Sequence, residues 1–598
     1  MERISLKTEV YTPMPSKNIG IMLLAFVGSA VMLTVIQAPI SGFDKLTINW
    51  SGMAWVSLVP FILACSPAVK VKPLFLTAYL VSLCYWLGNL YWIYQVTWLG
   101  WLAFCMYTAL LWPMLAFCLR YCRTKKIPLF LAAGVLFVGA ERLQGLFLGG
   151  FFWRFLAHSQ YANIRLIQIA DIFGAAGVSF LVAMVNGLAA ELIIAAEEKN
   201  IFKISNLLKI GLVCGALAGA AIYGRYRINE ADKYIEAGPL VASVQTNVPQ
   251  SVKKSHQSSE EILDELLKNS KASIEAGAEL VVWPETMVQA TLDERVLSRV
   301  TDEYHCKIVD KILREHSKGK AFVLAGAYGG TLKMKEDFTL DLDKRYNSAF
   351  LYKPDGTAAE EQYNKIHLVA FGEYVPFRKG FPRLFNLLMK FTPYDYDYTL
   401  DAGSEYTVFG MTGKEKRAYK FSVMICYEDA VPAIARRFAI NEKGGKNIDW
   451  LVNISNDGWF VRFANGFDKL TKDGKVSPST ELSQHAAICV FRAVENRLAV
   501  VRSVNTGVSC LIDTLGHIRN GYVAGTLPHR AMARTGMAGW LVDRVPIDKR
   551  STFFSRNGQW LDFCCAACLV WLIIIPPLGR FLFGKGPKNI QGRTKGQE

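Results

Sequence analysis

The sequence lacks the cysteine spacing that marks a structural zinc site. Among its 13 cysteines, no Cys-x-x-Cys pair is followed by a second pair or by spaced histidines. Most of the cysteines lie in or beside apolar segments, where a thiol packs as a small hydrophobic side chain. Cys306, Cys426, Cys489 and Cys510 lie in the polar part, and of these only Cys426 lies beside acidic residues. We therefore expect neither a zinc site nor a disulfide framework.

The chain also lacks a basic stripe interleaved with aromatic residues, although its formal net charge is +16. Much of the positive excess lies in short loops beside apolar segments, which is typical of the cytoplasmic loops of membrane proteins. Hydrophobic residues make up 52% of the chain, whereas charged residues make up 20%. This composition favours a membrane protein and argues against nucleic acid as a partner.

Eight apolar segments come close to or exceed the 20 or so residues that a membrane-spanning helix needs. They run over residues 19–40, 53–69, 73–94, 98–121, 127–151, 164–196, 210–223 and 563–583. The first segment is too long to be a simple signal peptide, and it lacks a small-residue cleavage site. Lysines and arginines follow the second, fourth, sixth and eighth segments, so the positive-inside rule predicts that both termini are cytoplasmic.

Residues 225–561 then lie on the opposite side of the membrane. They alternate short β-branched runs with amphipathic stretches, which predicts an α/β domain with a layered sheet. The expected strands include 240–245, 279–283, 321–327, 348–352, 421–425 and 450–454, with a helix over 260–276. Residues 333–345 are predicted to be a polar excursion, and residues 410–420 a turn between strands.

The predicted organisation has four parts. Residues 1–224 form a membrane domain with seven spans, and residues 225–561 form the outer domain. Residues 562–584 form a last span, and residues 585–598 form a cytoplasmic tail.

Three stretches of the outer domain carry candidate reactive residues at strand ends. Glu285 follows Val-Val-Trp-Pro, Lys365 and Glu373 flank a glycine-containing turn, and Cys426 ends an apolar run. Singly, such a glutamate or lysine is more often a surface charge, and such a cysteine is more often a core residue. Together they supply a base, a cation and a nucleophile, which is a complete set for acyl transfer through a thioester.

In these stretches the sequence resembles the nitrilase (carbon–nitrogen hydrolase) superfamily, and within it the apolipoprotein N-acyltransferases. The resemblance rests on Lys365-Ile-His-Leu-Val-Ala-Phe-Gly-Glu373-Tyr-Val-Pro376, on Cys426-Tyr-Glu428 and on Asn456-Asp-Gly-Trp-Phe460. Further matches are Gln484-His485, Arg492-Ala-Val-Glu495-Asn-Arg497 and Asn505-Thr-Gly507.

The resemblance implies a multi-span α-helical membrane domain of about eight helices plus an αββα sandwich. It implies Glu285 as general base, Lys365 as stabiliser of the oxyanion and Cys426 as nucleophile. Glu373 would orient the lysine or the incoming group. Tyr427 and Glu428 are functional positions of the family.

The resemblance also implies the substrates and the location. The acyl donor would be a phospholipid, and the acceptor would be the free amine of a diacylglyceryl-cysteine lipoprotein. No metal or diffusible cofactor is needed for this chemistry. The implied protein is a monomer in the bacterial inner membrane with its catalytic domain on the periplasmic side.

Two other functions remain open from the sequence. A membrane-tethered nitrilase-type amidohydrolase would use the same three residues and release the acyl group to water. A transporter or lipid-binding protein with a degenerate enzyme domain is the second alternative. Two departures from the family pattern affect substrate contacts. The family commonly has a tryptophan in the segment where this chain has Lys254, and Phe152 replaces a proline.

Three charged residues outside the set also call for an interpretation. Arg142, in the fifth apolar segment, either pairs structurally or binds lipid headgroups. Arg492 and Glu495 lie one helical turn apart and are predicted to form an internal ion pair.

Overall fold

The computed structural model describes residues 17–37, 50–146, 149–250, 258–334, 340–378, 380–392, 398–463 and 476–582. Lys254 and the predicted cytoplasmic tail lie outside these ranges.

The N-terminal part is a bundle of helices. They are α1 (Lys17–Val35), α2 (Val59–Ala64), α3 (Val71–Asn89), α4 (Trp98–Thr108), α5 (Leu111–Thr124), α6 (Leu129–Gln144), α7 (Ile164–Ile167), α8 (Ala170–Phe173), α9 (Ala175–Glu197) and α10 (Ile204–Asn229). Within the described ranges, four helical stretches are long and apolar enough to cross a membrane: Val71–Asn89, Trp98–Thr124, Ala175–Glu197 and Ile204–Lys233. The helical N-terminal domain is as predicted, whereas the count of eight spans stays a prediction.

Residues 235–548 form a sandwich of two sheets. The strands are β1 (Ile235–Gln245), β2 (Leu280–Val282), β3 (Phe322–Met334), β4 (Leu340–Tyr352), β5 (Ala358–Asn364), β6 (Phe409–Thr412), β7 (Ala418–Ile425), β8 (Trp450–Asn456), β9 (Arg462–Phe463), β10 (Val476–Ser477), β11 (Ala499–Asn505), β12 (Cys510–Ile512), β13 (Ala524–Gly525) and β14 (Gly539–Asp548). One sheet has the order β13-β14-β1-β2-β3-β4-β5 and the other has the order β12-β11-β8-β7-β6, while β9 and β10 pair separately.

Helices cover both outer faces of the sandwich. The remaining helices are α11 (Ser259–Glu275), α12 (Glu294–Leu297), α13 (His305–Ser317), α14 (Pro382–Met389), α15 (Pro432–Ala439), α16 (Thr480–Asn496), α17 (Phe553–Asn557) and α18 (Trp560–Leu582). α11 and α13 pack on the first sheet, and α15 and α16 pack on the second. The inner faces meet where the Ser503 hydroxyl of β11 lies 2.7 Å from the carbonyl of Val244 and 2.8 Å from that of Val282. The layers are therefore α, β, β, α, as predicted.

The strand directions bring several strand ends together. β1, β2 and β3 run parallel, and so do β7, β8 and β11. The carboxyl ends of parallel strands emerge at one edge of a sheet, where reactive side chains are commonly placed. The residues that follow β7 and β8 are therefore neighbours, and the backbone N–H of Asn456 at the end of β8 reaches Glu285 after β2 in the other sheet.

One prediction about the sandwich is wrong. The residues of 333–345 that the structure describes are not an excursion, because 333–334 end β3, 340–345 begin β4, and Lys333 lies opposite Asp341. These strand ends extend beyond the pairing of β4 with β5, which begins at Ser348, and several of their side chains are exposed, so their composition resembles that of a loop. The predicted turn within 410–420 is confirmed, since the chain reverses between β6 and β7.

The predicted sixth span is not one continuous helix. α7 and α8 precede a break at Gly174, and α9 follows it. Gly174 has φ +66°, a left-handed conformation that suits glycine, and a Cβ there would lie 2.6 Å from the Phe554 ring. After the break, the Ala175 N–H donates to Glu495 at 2.9 Å. The break thus joins the helical domain to the sandwich.

Candidate active site

Cys426 begins a 3₁₀ turn, Cys426–Ala430, directly after β7. Its φ of +52° is a strained, left-handed conformation for a non-glycine residue. The Asn453 side-chain amide donates to the Cys426 carbonyl at 3.1 Å. Burial raises the pKa of the thiol, and the carboxylate of Glu285 raises it further, while Lys365 and His485 oppose the shift. A neutral thiol with a base beside it is the resting state that these charges favour.

Glu285 follows β2 and is held in one position by two donors. Asn347 Nδ2 donates to Oε1 at 2.6 Å, and the backbone N–H of Asn456 donates to Oε2 at 2.8 Å. The segment before Glu285 packs closely against β3 because residue 326 is glycine. A Cβ on Gly326 would lie 2.4 Å from the Pro284 carbonyl oxygen. Burial raises the pKa of Glu285, which suits a general base.

Lys365 follows β5, and its side chain is only 1% exposed. Its ammonium nitrogen lies 2.8 Å from Glu373 and 3.6 Å from Glu285. Burial opposes the charge, but the carboxylates of Glu373 and Glu285 outweigh it and raise the pKa of Lys365 above its ordinary value. The lysine is therefore a permanent cation between two carboxylates.

Glu373 is fixed at the same time by the turn that carries it. Its Oε2 accepts the backbone N–H of Val369 at 2.9 Å, and its Oε1 accepts Asn347 Nδ2 at 3.1 Å. Asn347 therefore bridges Glu285 and Glu373. Sequence reasoning missed Asn347, because an asparagine inside a strand carries no signal of its own.

Glu428 is fully buried two residues after Cys426. Its Oε1 accepts the backbone N–H groups of Ile366 at 2.8 Å and His367 at 2.9 Å, and its Oε2 accepts that of Ile425 at 2.8 Å. The Tyr363 hydroxyl donates to the same carboxylate at 2.8 Å. Glu428 thus connects the Cys426 turn to the segment that follows Lys365.

Tyr427 faces the helical domain. Its hydroxyl oxygen accepts the backbone N–H of Phe152 at 2.6 Å and lies 3.2 Å from the carbonyl of Gly150. The ring stacks near Trp153 at 6.3 Å between centroids and lies 5.9 Å from the ring of His367. The residue next to Cys426 is therefore held at the junction of the two domains.

The other predicted polar positions lie behind this cluster. Arg492 and Glu495 form the predicted ion pair, with Arg492 Nη2 at 2.7 Å from Glu495 Oε1. Asn456 holds its turn by accepting the N–H of Gly458 at 3.3 Å. Arg142 lies 3.9 Å from Asp562 and 4.0 Å from the centre of the Phe563 ring, which is a structural pairing.

Comparison with known proteins shows the family of the chain. The family model described as "Apolipoprotein N-acyltransferase N-terminal domain" matches residues 20–188, and the model described as "Carbon-nitrogen hydrolase" matches residues 240–524. The apolipoprotein N-acyltransferase of Geobacter metallireducens is 30% identical over 538 residues, covering 86% of this chain and 89% of the relative. The chain belongs to the apolipoprotein N-acyltransferase family.

Other members of the apolipoprotein N-acyltransferase family match nearly the whole chain. Apolipoprotein N-acyltransferase 1 of Treponema denticola is 26% identical over 590 residues, which cover 94% of this chain and 97% of that protein. The enzyme of Chlorobaculum tepidum is 26% identical over 543 residues, with coverages of 87% and 90%. Among solved structures, an amidase from Nesterenkonia sp. aligns over 54% of this chain and 95% of its own with 15% identity and a TM-score of 0.33.

Proposed function

We propose that this chain transfers an acyl group from a membrane phospholipid to the N-terminal amine of a diacylglyceryl-cysteine lipoprotein, through a thioester on Cys426. The observation that carries the proposal is the pair of contacts from Tyr427 to Gly150 and Phe152. They place the residue next to the nucleophile against the end of an apolar helical domain. A site at this junction suits two substrates that are both anchored in a membrane.

In the first half-reaction, Cys426 Sγ attacks the carbonyl carbon of a phospholipid ester while Glu285 accepts the thiol proton. The Lys365 ammonium and the backbone N–H of Tyr427 stabilise the oxyanion of the tetrahedral intermediate. The ester C–O bond then breaks, and Glu285 returns the proton to the departing alkoxide of the lysophospholipid. The acyl group is left on Cys426 as a thioester.

In the second half-reaction, the free α-amine of the lipoprotein attacks the thioester carbon. Glu285 accepts the amine proton, the C–S bond breaks, and the proton passes to the Cys426 thiolate. The product is an amide, and the enzyme returns to its resting state. Glu373 holds Lys365 in place through both halves, and Glu428 fixes the lysine segment against the nucleophile turn.

For the membrane arrangement we propose eight spans in the bacterial inner membrane, with the sandwich on the periplasmic side. Basic residues lie at one end of the helical domain: Arg120 Nε donates to the carbonyl of Val69 at 3.0 Å, and Arg123 Nη1 donates to that of Leu63 at 2.8 Å. Positive residues at one end of a bundle indicate its cytoplasmic side.

The acyl-enzyme is the direct test. The purified chain is incubated with a phospholipid that carries an isotope-labelled acyl chain, and the peptide that contains Cys426 is examined by mass spectrometry. We expect the acyl mass on Cys426 in the wild type and in Cys306→Ala, and no acyl mass in Cys426→Ala. Unmodified Cys426 in the wild type, or acylation elsewhere in Cys426→Ala, contradicts the thioester mechanism.

Adding an amine acceptor distinguishes an acyltransferase from a hydrolase. With a synthetic diacylglyceryl-cysteine peptide, we expect loss of the thioester together with formation of the N-acyl peptide. The same peptide with an acetylated amine is the control and should leave the thioester intact. Release of free fatty acid at the same rate with either peptide would identify a hydrolase.

A further inference from the structure

His485 lies in α16 behind the candidate active site and is only 2% exposed. Its Nε2 is 2.8 Å from Asp429 Oδ1, and its Nδ1 is 3.2 Å from Asp457 Oδ1. Nδ1 also lies 3.3 Å from Glu481 Oε1, one helical turn earlier. An imidazole donates from both ring nitrogens only when it is protonated, so these contacts describe a cation between carboxylates.

One of these carboxylates belongs to the nucleophile turn. Asp429 lies three residues after Cys426 in the turn Cys426–Ala430. It also forms an ion pair with Nη1 of Arg502, and both side chains are fully buried. Movement of Asp429 would therefore be transmitted to Cys426 through one short turn.

The other carboxylate belongs to the segment that holds the base. Asp457 directly follows Asn456, whose backbone N–H donates to Oε2 of Glu285. Ser455 Oγ donates to Asp457 Oδ1 at 2.7 Å, so this turn is fixed from the strand side as well. His485 thus contacts both the turn of the nucleophile and the turn that positions Glu285.

The charges of the cluster are consistent with a protonated histidine. Three carboxylates, from Asp429, Asp457 and Glu481, face two cations, from His485 and Arg502. Burial and the nearby Asp457 together raise the pKa of Glu481 to about 7. With Glu481 protonated, the buried group is neutral, which removes the large cost of an unpaired buried charge.

We propose that His485 is a positioning residue that fixes the separation of Cys426 and Glu285 by hydrogen bonding Asp429 and Asp457 at the same time. The inference rests on the proposed function, since Cys426 and Glu285 are its nucleophile and base. The histidine acts through the two turns and takes no proton from the substrate. A misplacement of about 1 Å between reacting groups can reduce a rate by roughly 100-fold, so a tie between the two turns matters for catalysis.

The test compares His485→Gln with the wild type in single-turnover acylation by labelled phospholipid. Glutamine is neutral and carries its donors on one nitrogen, so it cannot donate from two opposite ring positions. We expect the acylation rate constant to fall by roughly 30- to 100-fold, as for a displaced reacting group. The phospholipid concentration for half-maximal rate should change less than about twofold, since the residue contacts no substrate. The matched control is His517→Gln, which removes a surface histidine 2.9 Å from Asp513 and should leave the rate unchanged.

A double-mutant cycle separates positioning from a general loss of stability. Asp429→Asn removes the carboxylate on the Cys426 side, and its effect should not add to that of His485→Gln, because both break the same link. If His485→Gln does not fold, Asp429→Asn alone decides and should lower the rate constant without changing the half-maximal concentration. Additive effects, or a wild-type rate in the variant that folds, overturn the proposal.

Two further outcomes are distinguishable. If the wild type forms no acyl-enzyme, the proposed function fails; if it does and His485→Gln matches it, only the role of His485 fails. Asp457, Glu481 and His485 also have the composition of a divalent-cation site. If 1,10-phenanthroline abolished acylation by the wild type and Zn²⁺ restored it, a bound metal ion, and not a hydrogen-bonded imidazolium, would connect the two turns.

Discussion

The hydroxyl oxygen of Tyr427 accepts the backbone N–H of Phe152 at 2.6 Å, across 275 residues of sequence. This bond connects the turn of the nucleophile to the segment that leaves α6. It depends on a departure from the family pattern, because a proline at position 152 would have no N–H to donate. Phe152, which replaces the family's proline, therefore supplies a hydrogen bond between the two domains.

Removing this acceptor tests the connection. In Tyr427→Phe the N–H of Phe152 is left without its partner, which costs roughly 1–3 kcal/mol when the group is buried. We expect acylation of Cys426 to slow by at most roughly 5- to 160-fold, the equivalent of that energy. Single-turnover acylation measures the effect, with the exposed Tyr304→Phe as control. Equal rates in both variants would show that the bond has no part in catalysis.

Lys365 carries the largest electrostatic role in the proposed mechanism. Lys365→Met keeps much of the side-chain volume, removes the charge beside the oxyanion and leaves Glu285 and Glu373 as buried carboxylates without their cation. Loss of one oxyanion stabiliser costs roughly 100- to 1,000-fold in rate. We expect the acylation rate to fall by at least that factor. Lys353→Met, which removes a surface lysine 3.7 Å from Asp355, is the control and should retain full activity.

The acid limb of the pH–rate profile reports the protonation of Glu285. Burial raises the pKa of Glu285, and Glu373 raises it further, while Lys365 lowers it. The limb should therefore lie at higher pH than an ordinary glutamate gives. Glu373→Gln removes a negative neighbour and should move the limb to lower pH, with a lower maximal rate because Lys365 loses its close partner. A shift to higher pH would exclude Glu285 as the titrating base.

The candidate site shows what sequence can and cannot predict. The positions of Glu285, Lys365 and Cys426 after strands were predictable because each lies in a specific local motif, whereas their catalytic roles stay a prediction. Their supports were not predictable, since Asn347 lies inside a strand and the N–H of Asn456 has no side-chain signal. His485 belonged to a recognised motif, but its partners Asp429 and Asp457 come from other segments. Such contacts depend on how β7, β8 and α16 pack, which one sequence does not specify.

The membrane domain shows the same limit. The length of the apolar segments predicted where the helices lie. It did not predict the break at Gly174, because glycine is common within membrane helices. The break depends on the packing of Phe554 and on the acceptor Glu495, both from distant parts of the chain. In the sandwich, the polar composition of 333–345 predicts an excursion, whereas its described residues extend β3 and β4.

Glu428 should make stability depend on pH. Burial raises its pKa from an ordinary value of 4.5 to about 7, so the folded state favours the neutral carboxyl. The contribution of Glu428 to the free energy of unfolding is fully present below about pH 4.5 and is lost as the pH rises through about 7. A shift of this size corresponds to roughly 3 kcal/mol. Glu428→Gln cannot titrate, so its melting temperature in detergent should fall less than that of the wild type between pH 5 and pH 8.

At pH 5, where the wild-type carboxyl is still neutral, the same variant should also be less stable than the wild type. The glutamine presents one oxygen where the carboxylate presents two, so at least one of the N–H donors of Ile366, His367 and Ile425 faces an amide NH₂. Each donor left unpaired costs roughly 1–3 kcal/mol. Glu361→Gln, an exposed change on β5, is the control for both measurements. An equal pH dependence in Glu428→Gln and the wild type would show that Glu428 is ionised throughout.

The proposed membrane arrangement predicts which surface residues an impermeant reagent reaches. Lys271 is exposed on α11 of the sandwich, and Lys125 is exposed at the end of α5. If the sandwich is periplasmic, a membrane-impermeant maleimide should label Lys271→Cys in intact spheroplasts. Lys125→Cys should react only after the membrane is made permeable, because the basic end of the bundle is cytoplasmic. The wild type, with its native cysteines, sets the background, and labelling of Lys125→Cys alone in intact spheroplasts would reverse the orientation.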